Sequence, residues 1–112
     1  MENEAVIATV RDYFEGWFDG DEERMDRALH PDLVKRRAGE ELHIRTKEQM
    51  LEFTREGEGK ADAADRTLDI EVEDVYGDIA SATVRSAVYH EYVHLVRTPD
   101  GSKIANALWV LT

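Results

Sequence analysis

The chain has 112 residues, 42% of them hydrophobic and 35% charged, which describes a globular domain with a single core and excludes a disordered chain. Its 25 Asp and Glu outnumber 14 Lys and Arg, and the formal charge of −11 repels phosphate backbones and anionic lipid, so neither nucleic acid nor membrane is an expected partner. No cysteine is present, which rules out disulfides, thiol catalysis and thiolate-bound metal.

The N-terminus, MENEAVIATV, has no basic segment followed by an apolar one, and no apolar run reaches membrane-spanning length, so a cytoplasmic location is expected. Ala5, Val6, Val10, Tyr13, Phe14, Trp17 and Phe18 recur at helical spacing, with Asn3 as a candidate N-cap and Gly20 as the stop. Asp21 caps a second, shorter helix with Met25, Ala28 and Leu29 on its inner face, expected to end at His30 because Pro31 follows. Leu33 to Arg37 and Glu41 to Arg45 read as two short extended pieces turning at Ala38-Gly39-Glu40. Thr46-Lys47-Glu48-Gln49 is a capping box that starts a third helix, carrying Met50, Leu51 and Phe53 and ending by Gly57. Residues 57–65, small and polar, read as a mobile connector.

From Arg66 onward the pattern is strand. Leu68, Ile70 and Val72 alternate with acidic residues, Tyr76-Gly77-Asp78 turns, one long strand is expected from Ile79 to Arg97, and Pro99-Asp100-Gly101 leads into a last strand over Lys103 to Leu111. No repeat or domain boundary is visible, so residues 1–112 form one α+β domain: helices laid over an antiparallel sheet, with a cone-shaped space between them.

The stretch His90-Glu91-Tyr92-Val93-His94 fits the zinc-protease motif H-E-x-x-H. That chemistry needs a helix, where residues four apart lie roughly 6 Å apart on one face. In a strand they stand roughly 13 Å apart. The β-branched and aromatic neighbours favour a strand, so no metal and no cofactor are expected, with a zinc peptidase as the remote alternative.

Several blocks carry a resemblance: residues 16–36 (GWFDGDEERMDRALHPDLVKR), 47–57 (KEQMLEFTREG), 77–84 (GDIASATV), 91–96 (EYVHLV) and 103–109 (KIANALW). They resemble the putative lumazine-binding family of the nuclear transport factor 2-like, or SnoaL-like, superfamily, whose members are similar in fold to ketosteroid isomerases and polyketide cyclases. The resemblance implies a curved antiparallel sheet wrapped by helices, usually a homodimer packed through the sheet, and an apolar pocket for a small organic molecule. It fixes no reaction, because isomerases, dehydratases, cyclases and non-enzymatic binding modules share the fold. Where such sequences often have a tryptophan ahead of Lys-Ile, this chain has Ser102.

The candidate catalytic residues are Glu91, His30 and His94. Glu91 becomes an inward carboxylate if a β-bulge falls between Tyr89 and Tyr92; without one, His90, Tyr92 and His94 face inward and Glu91 is a surface residue. An inward carboxylate would have a raised pKa suited to general acid–base work. His30 precedes Pro31 at a helix end, as a pocket acid or base or simply as a capping residue. His94 with Tyr92 could form a polar pair, or be satisfied by backbone groups. Tyr13, Trp17, Tyr92, Asn106 and Trp109 are the candidate ligand-binding residues, the aromatic ones equally suited to filling a core. Asn106 shares strand parity with Ile104 and Leu108 and is expected to face inward. His43 belongs to no constellation, and the basic run Lys35-Arg36-Arg37 reads as a solvated face, with an anionic ligand as the alternative.

Overall fold

Apolar residues spaced three and four apart make the first helix, α1 (Asn3–Asp19), bury Val6, Val10, Tyr13, Phe14 and Phe18 in one stripe. The computed structural model describes residues 1–112. Glu2, not Asn3, holds the N-cap position of α1 and offers it no side-chain bond. Gly20 closes the helix at φ 65°, a left-handed conformation that costs glycine little. Asp21 then caps α2 (Glu22–Ala28) by accepting from the Arg24 backbone N–H at 3.2 Å. That helix stops earlier than Pro31 requires, because Leu29 is already extended.

The strands are β1 (Leu29–Arg37), β2 (His43–Arg45), β3 (Leu68–Tyr76), β4 (Ile79–Ser86), β5 (Tyr89–Thr98) and β6 (Gly101–Leu111). Between β2 and β3 lies α3 (Lys47–Arg55), started by the full capping box of Thr46 and Gln49. The 57–65 connector is not structureless: Glu58–Asp62 forms a 3-10 turn against α1. Gly59 is buried there, and a Cβ on it would lie 2.2 Å from the Trp17 carbonyl oxygen.

All six strands join one sheet in the order β2-β1-β6-β5-β4-β3. Every ladder is antiparallel except β1 with β6, which runs parallel and makes the sheet mixed. Register shifts on β1 between Leu29 and Val34, on β3 between Val72 and Asp74, and on β6 between Ile104 and Asn106 bend the sheet around the helices. The concave face carries Ala82, Val84, Val93, Leu95, Ile104 and Ala107, which pack with the α1 stripe, Met25 and Met50 into one core.

The stretch from Ile79 to Arg97 is extended but is two strands, not one. The chain reverses at Ala87-Val88, with Arg85 facing His90 and Val84 facing Glu91 in unbroken register. Ser86 Oγ accepts from the Tyr89 N–H at 2.9 Å, while Thr112 bonds the Ala87 and Val88 carbonyls. This turn, not a bulge between Tyr89 and Tyr92, makes Glu91, Val93 and Leu95 face the core. The same parity puts His90 and His94 on the opposite face, four residues apart along a strand, and no three His, Asp or Glu side chains converge anywhere as a metal-holding group. The zinc reading of the motif therefore has no geometry behind it.

Candidate functional site

Residues two apart on a strand share a face, so β-sheet register alone assembles much of the site. On the concave face one row across the sheet runs His43, Arg37, Trp109, Glu91 and Val84, and the next runs Arg45, Lys35, Ala107, Val93 and Ala82. Aromatic residues of α1 and a side of α3 close over these rows. The result is a cavity of about 240 Å³ lined by Tyr13, Phe14, Trp17, Lys35, Arg37, His43, Arg45, Met50, Phe53, Glu58, Tyr89, Glu91 and Trp109.

At its inner end Glu91 is only 1% exposed, although it is a carboxylate. The Tyr13 hydroxyl donates to its Oε2 at 2.7 Å, and the Lys35 ammonium in turn donates to the Tyr13 oxygen. Lys35 Nζ also lies 4.9 Å from the Tyr13 ring centre and 5.3 Å from that of Trp109. Burial pushes the Glu91 carboxyl above the usual carboxylate range, opposed by the Lys35 charge and the Tyr13 hydrogen bond. Burial likewise lowers the Lys35 ammonium, with Glu91 opposing and Arg45 adding to the fall. The Tyr13 hydroxyl is pushed well up by burial and by the Glu91 charge beside it. The two hydrogen bonds join the three groups in one buried chain.

A second polar cluster sits beside it. Trp17 Nε1 donates to Asp62 Oδ2 at 3.2 Å and to the Tyr89 hydroxyl at 3.3 Å, and that hydroxyl donates to Asp62. Trp109 meets Tyr89 edge-on at 5.1 Å. The cluster pins two aromatic walls of the cavity, and burial plus the Asp62 hydrogen bond raise the Tyr89 hydroxyl above its normal pKa.

Of the residues singled out in the sequence, Glu91, Tyr13, Trp17 and Trp109 meet in this cavity, while His30, His94, Tyr92 and Asn106 lie outside it. His30 does not end a helix: it lies on β1, where its Nδ1 accepts from the Asp32 N–H at 3.0 Å. Tyr92 is 52% exposed on the convex face, and His94 is exposed on that face as well. Asn106 is also exposed, contrary to its expected inward direction, because the extra residue Ala105 reverses parity between Ile104 and Ala107. Lys35, Arg37, His43 and Arg45 reach the cavity, although the sequence reads Lys35 and Arg37 as part of a solvated run, with an anionic ligand as the alternative, and gives His43 and Arg45 no role. The signal available was alternation: if β1 is a strand, Lys35 and Arg37 share a face that Arg36 does not.

A solved nuclear transport factor 2-like protein of unknown function from Silicibacter pomeroyi is similar to this chain with a TM-score of 0.77 and 16% identity, over 97% of this chain and 94% of that one. A putative ketosteroid isomerase from Shewanella frigidimarina gives 0.62 at 20% identity, over 96% and 95%. A putative dehydratase from Streptomyces avermitilis gives 0.63 at 17%, over 97% and 94%. At these identities the likeness concerns the fold, and the layered α+β architecture is the nuclear transport factor 2-like one. No curated protein matches the sequence. The model of the family described as "Putative lumazine-binding" matches residues 1–110, and the chain belongs to that family.

Proposed function

We propose that this pocket protein is a metal-independent acid–base enzyme that moves a proton next to the carbonyl of a small molecule. The observation that carries the reading is the buried chain Lys35–Tyr13–Glu91 at the inner end of an open cavity. A carboxylate this enclosed is costly to keep unless its basicity is used or its partners are complete. Here Glu91 takes the proton from carbon, and the carbon's electron pair moves onto the carbonyl oxygen. The Tyr13 hydroxyl, released from the neutralised carboxyl, and the Lys35 ammonium stabilise that oxyanion. Returning the proton to another carbon completes an isomerisation; delivering it to a departing hydroxyl completes a dehydration. The ketosteroid isomerase and dehydratase descriptions of two structural neighbours are consistent with such chemistry on this fold. His30 and His94 have no part in it, because neither borders the cavity. A non-catalytic binding module would use the same cavity but has no need of the proton chain.

We also infer a homodimer formed through the convex sheet face. Leu108 and Tyr92 fall on the adjacent strands β6 and β5 in one lateral row there, which passes through Arg36 of β1 to Ile44 of β2, with Val110 in the next row, and these four are large, apolar and 43–52% exposed. No helix is long and apolar enough to cross a membrane, and a cytoplasmic enzyme fits the acidic, cysteine-free sequence.

The test is deuterium incorporation at the carbon next to the carbonyl in a panel of small β,γ-unsaturated ketones in D₂O, followed by NMR. The wild type is expected to exceed the buffer rate and Glu91→Gln to lose about 10²–10⁴-fold, the ordinary contribution of a positioned base. Equal exchange in both proteins, or none in the wild type, would overturn the proposal.

A further inference from the structure

Arg37 and Arg45 line the cavity, and neither makes an ion pair, a state that Arg36 on the convex face shares. Every arginine outside residues 36–45 lies within 4.0 Å of an Asp or Glu oxygen. Arg37 and Arg45, in a chain with 25 carboxylates, pair with none of them. Arg37 rests its guanidinium 5.4 Å from the Trp109 ring centre, and Arg45 lies 5.4 Å from that of Phe53, so each covers an aromatic wall and leaves its N–H fork available. The one side-chain hydrogen bond that either makes runs from Arg45 Nη1 to the neighbouring Ile44 carbonyl at 3.1 Å.

Register makes the arrangement more pointed. Lys35 lies directly opposite Arg45, and Arg37 directly opposite His43, all on the cavity side of the β1–β2 ladder. Like charges facing each other across a ladder are destabilising, as Lys35 and Arg45 do here, and the one carboxylate on these two strands, Asp32, does not line the cavity. Glu91 is already engaged by Tyr13, and Glu58 is the remaining carboxylate of the cavity. The walls between are aromatic: Trp17, Phe53, Tyr89 and Trp109.

We infer that the cavity takes a small flat organic anion, whose carboxylate is gripped by Arg37 and Arg45 and whose ring lies between the aromatic walls. A guanidinium fork matches a carboxylate in two parallel hydrogen bonds, which an ammonium cannot do. The volume of about 240 Å³ restricts the ligand to one or two rings, since drug-sized pockets run from roughly 300 to 1,000 Å³. This names the substrate class of the proton-transfer site and rests on that reading for which end of the ligand meets Glu91; the anion grip itself stands on Arg37 and Arg45 alone.

Calorimetric titration with benzoate and 2-naphthoate, each against its neutral amide, tests it without any turnover. Wild-type protein is expected to prefer the carboxylates by about tenfold or more, a preference that weakens with added salt. The Arg37→Met/Arg45→Met double variant keeps the stems over the aromatic rings and should bind acid and amide within about twofold of each other. Arg37→Lys/Arg45→Lys should retain part of the preference, and Glu58→Gln should increase it. Equal binding of acid and amide by the wild type, no binding of any of the four probes, or a preference that survives the methionine variant would each overturn the inference. Glu91→Gln separates it from the proposed reaction: a variant that still prefers carboxylates while ketone exchange proves absent in the wild type would remove the reaction and leave the anion site standing.

Discussion

Replacing Tyr13 by Phe removes one oxygen from the middle of the Lys35–Tyr13–Glu91 chain and almost no apolar contact, since the ring is 3% exposed and keeps its edge-on packing on Phe14 at 5.0 Å. When Glu91 is ionised the lost bond is to a charged acceptor, worth about 1.5–3 kcal/mol; when Glu91 is protonated it is an ordinary one, worth about 0.5–1.5 kcal/mol. The sign follows from the direction of the shift. Burial raises the folded-state pKa of Glu91 above its unfolded value of about 4.3, so protonation favours the folded protein, and that contribution fades as pH rises through the folded pKa. The Tyr13 bond opposes the rise, so the variant's Glu91 titrates higher still, and the variant loses ground to the wild type as pH climbs between the two folded values. Urea unfolding of both proteins at pH 4 and pH 8 measures the gap, because the other carboxylates cancel in the difference. The gap should be about 1 kcal/mol wider at pH 8, or roughly 0.5 M in urea midpoint at a slope of about 2 kcal/mol/M. A gap independent of pH, or no destabilisation at all, would refute the buried hydrogen-bonded carboxylate.

Gly59→Ala should destabilise the protein by about 1–3 kcal/mol and shift the Trp17 fluorescence, because the new methyl meets the Trp17 carbonyl at 2.2 Å and its ring at 2.5 Å. Thr46→Ala, which removes the capping box of α3, should lower stability by about 0.5–2 kcal/mol in thermal or urea unfolding and leave the oligomeric state unchanged. Leu108→Glu and Tyr92→Glu, on the convex face, should convert a dimer to a monomer by sedimentation while each protomer keeps its circular dichroism. A monomeric wild type would remove the dimer.

The helical half was legible because its signals are local: the α1 stripe, the Gly20 stop, the Asp21 cap and the Thr46–Gln49 box each sit within a few residues of what they govern. The sheet was legible in its elements and its fold family but not in its parity. Ala87-Val88 contains none of the Gly, Asn, Asp or Pro that advertise a hairpin, and neither residue takes positive φ, so the sequence reads as one strand through the reversal. Ala105 likewise leaves no mark of being an extra residue, yet it decides that Trp109 faces the cavity and Asn106 the solvent. A one-residue slip exchanges the faces of a whole strand, so the parity that points Ile104, Asn106 and Leu108 inward fails beyond Ala105, and Trp109 stands out in the sequence by its aromatic ring, not by its parity. The inward basic residues were hidden for a related reason. Lys35-Arg36-Arg37 reads as a charged surface run, and only pairing with β2 and β6 shows that two of the three point at Glu91's side of the sheet.

The most direct measurement of the central claim is the titration of the Glu91 carboxyl itself, by NMR of protein labelled at the glutamate side-chain carbon, with Glu91→Gln providing the assignment. A carboxyl enclosed by Tyr13, Lys35 and the aromatic walls should titrate clearly above the ordinary glutamate value of about 4.3, and should move higher in Tyr13→Phe. A Glu91 that titrates at the ordinary value, unmoved by loss of the Tyr13 hydroxyl, would contradict the account.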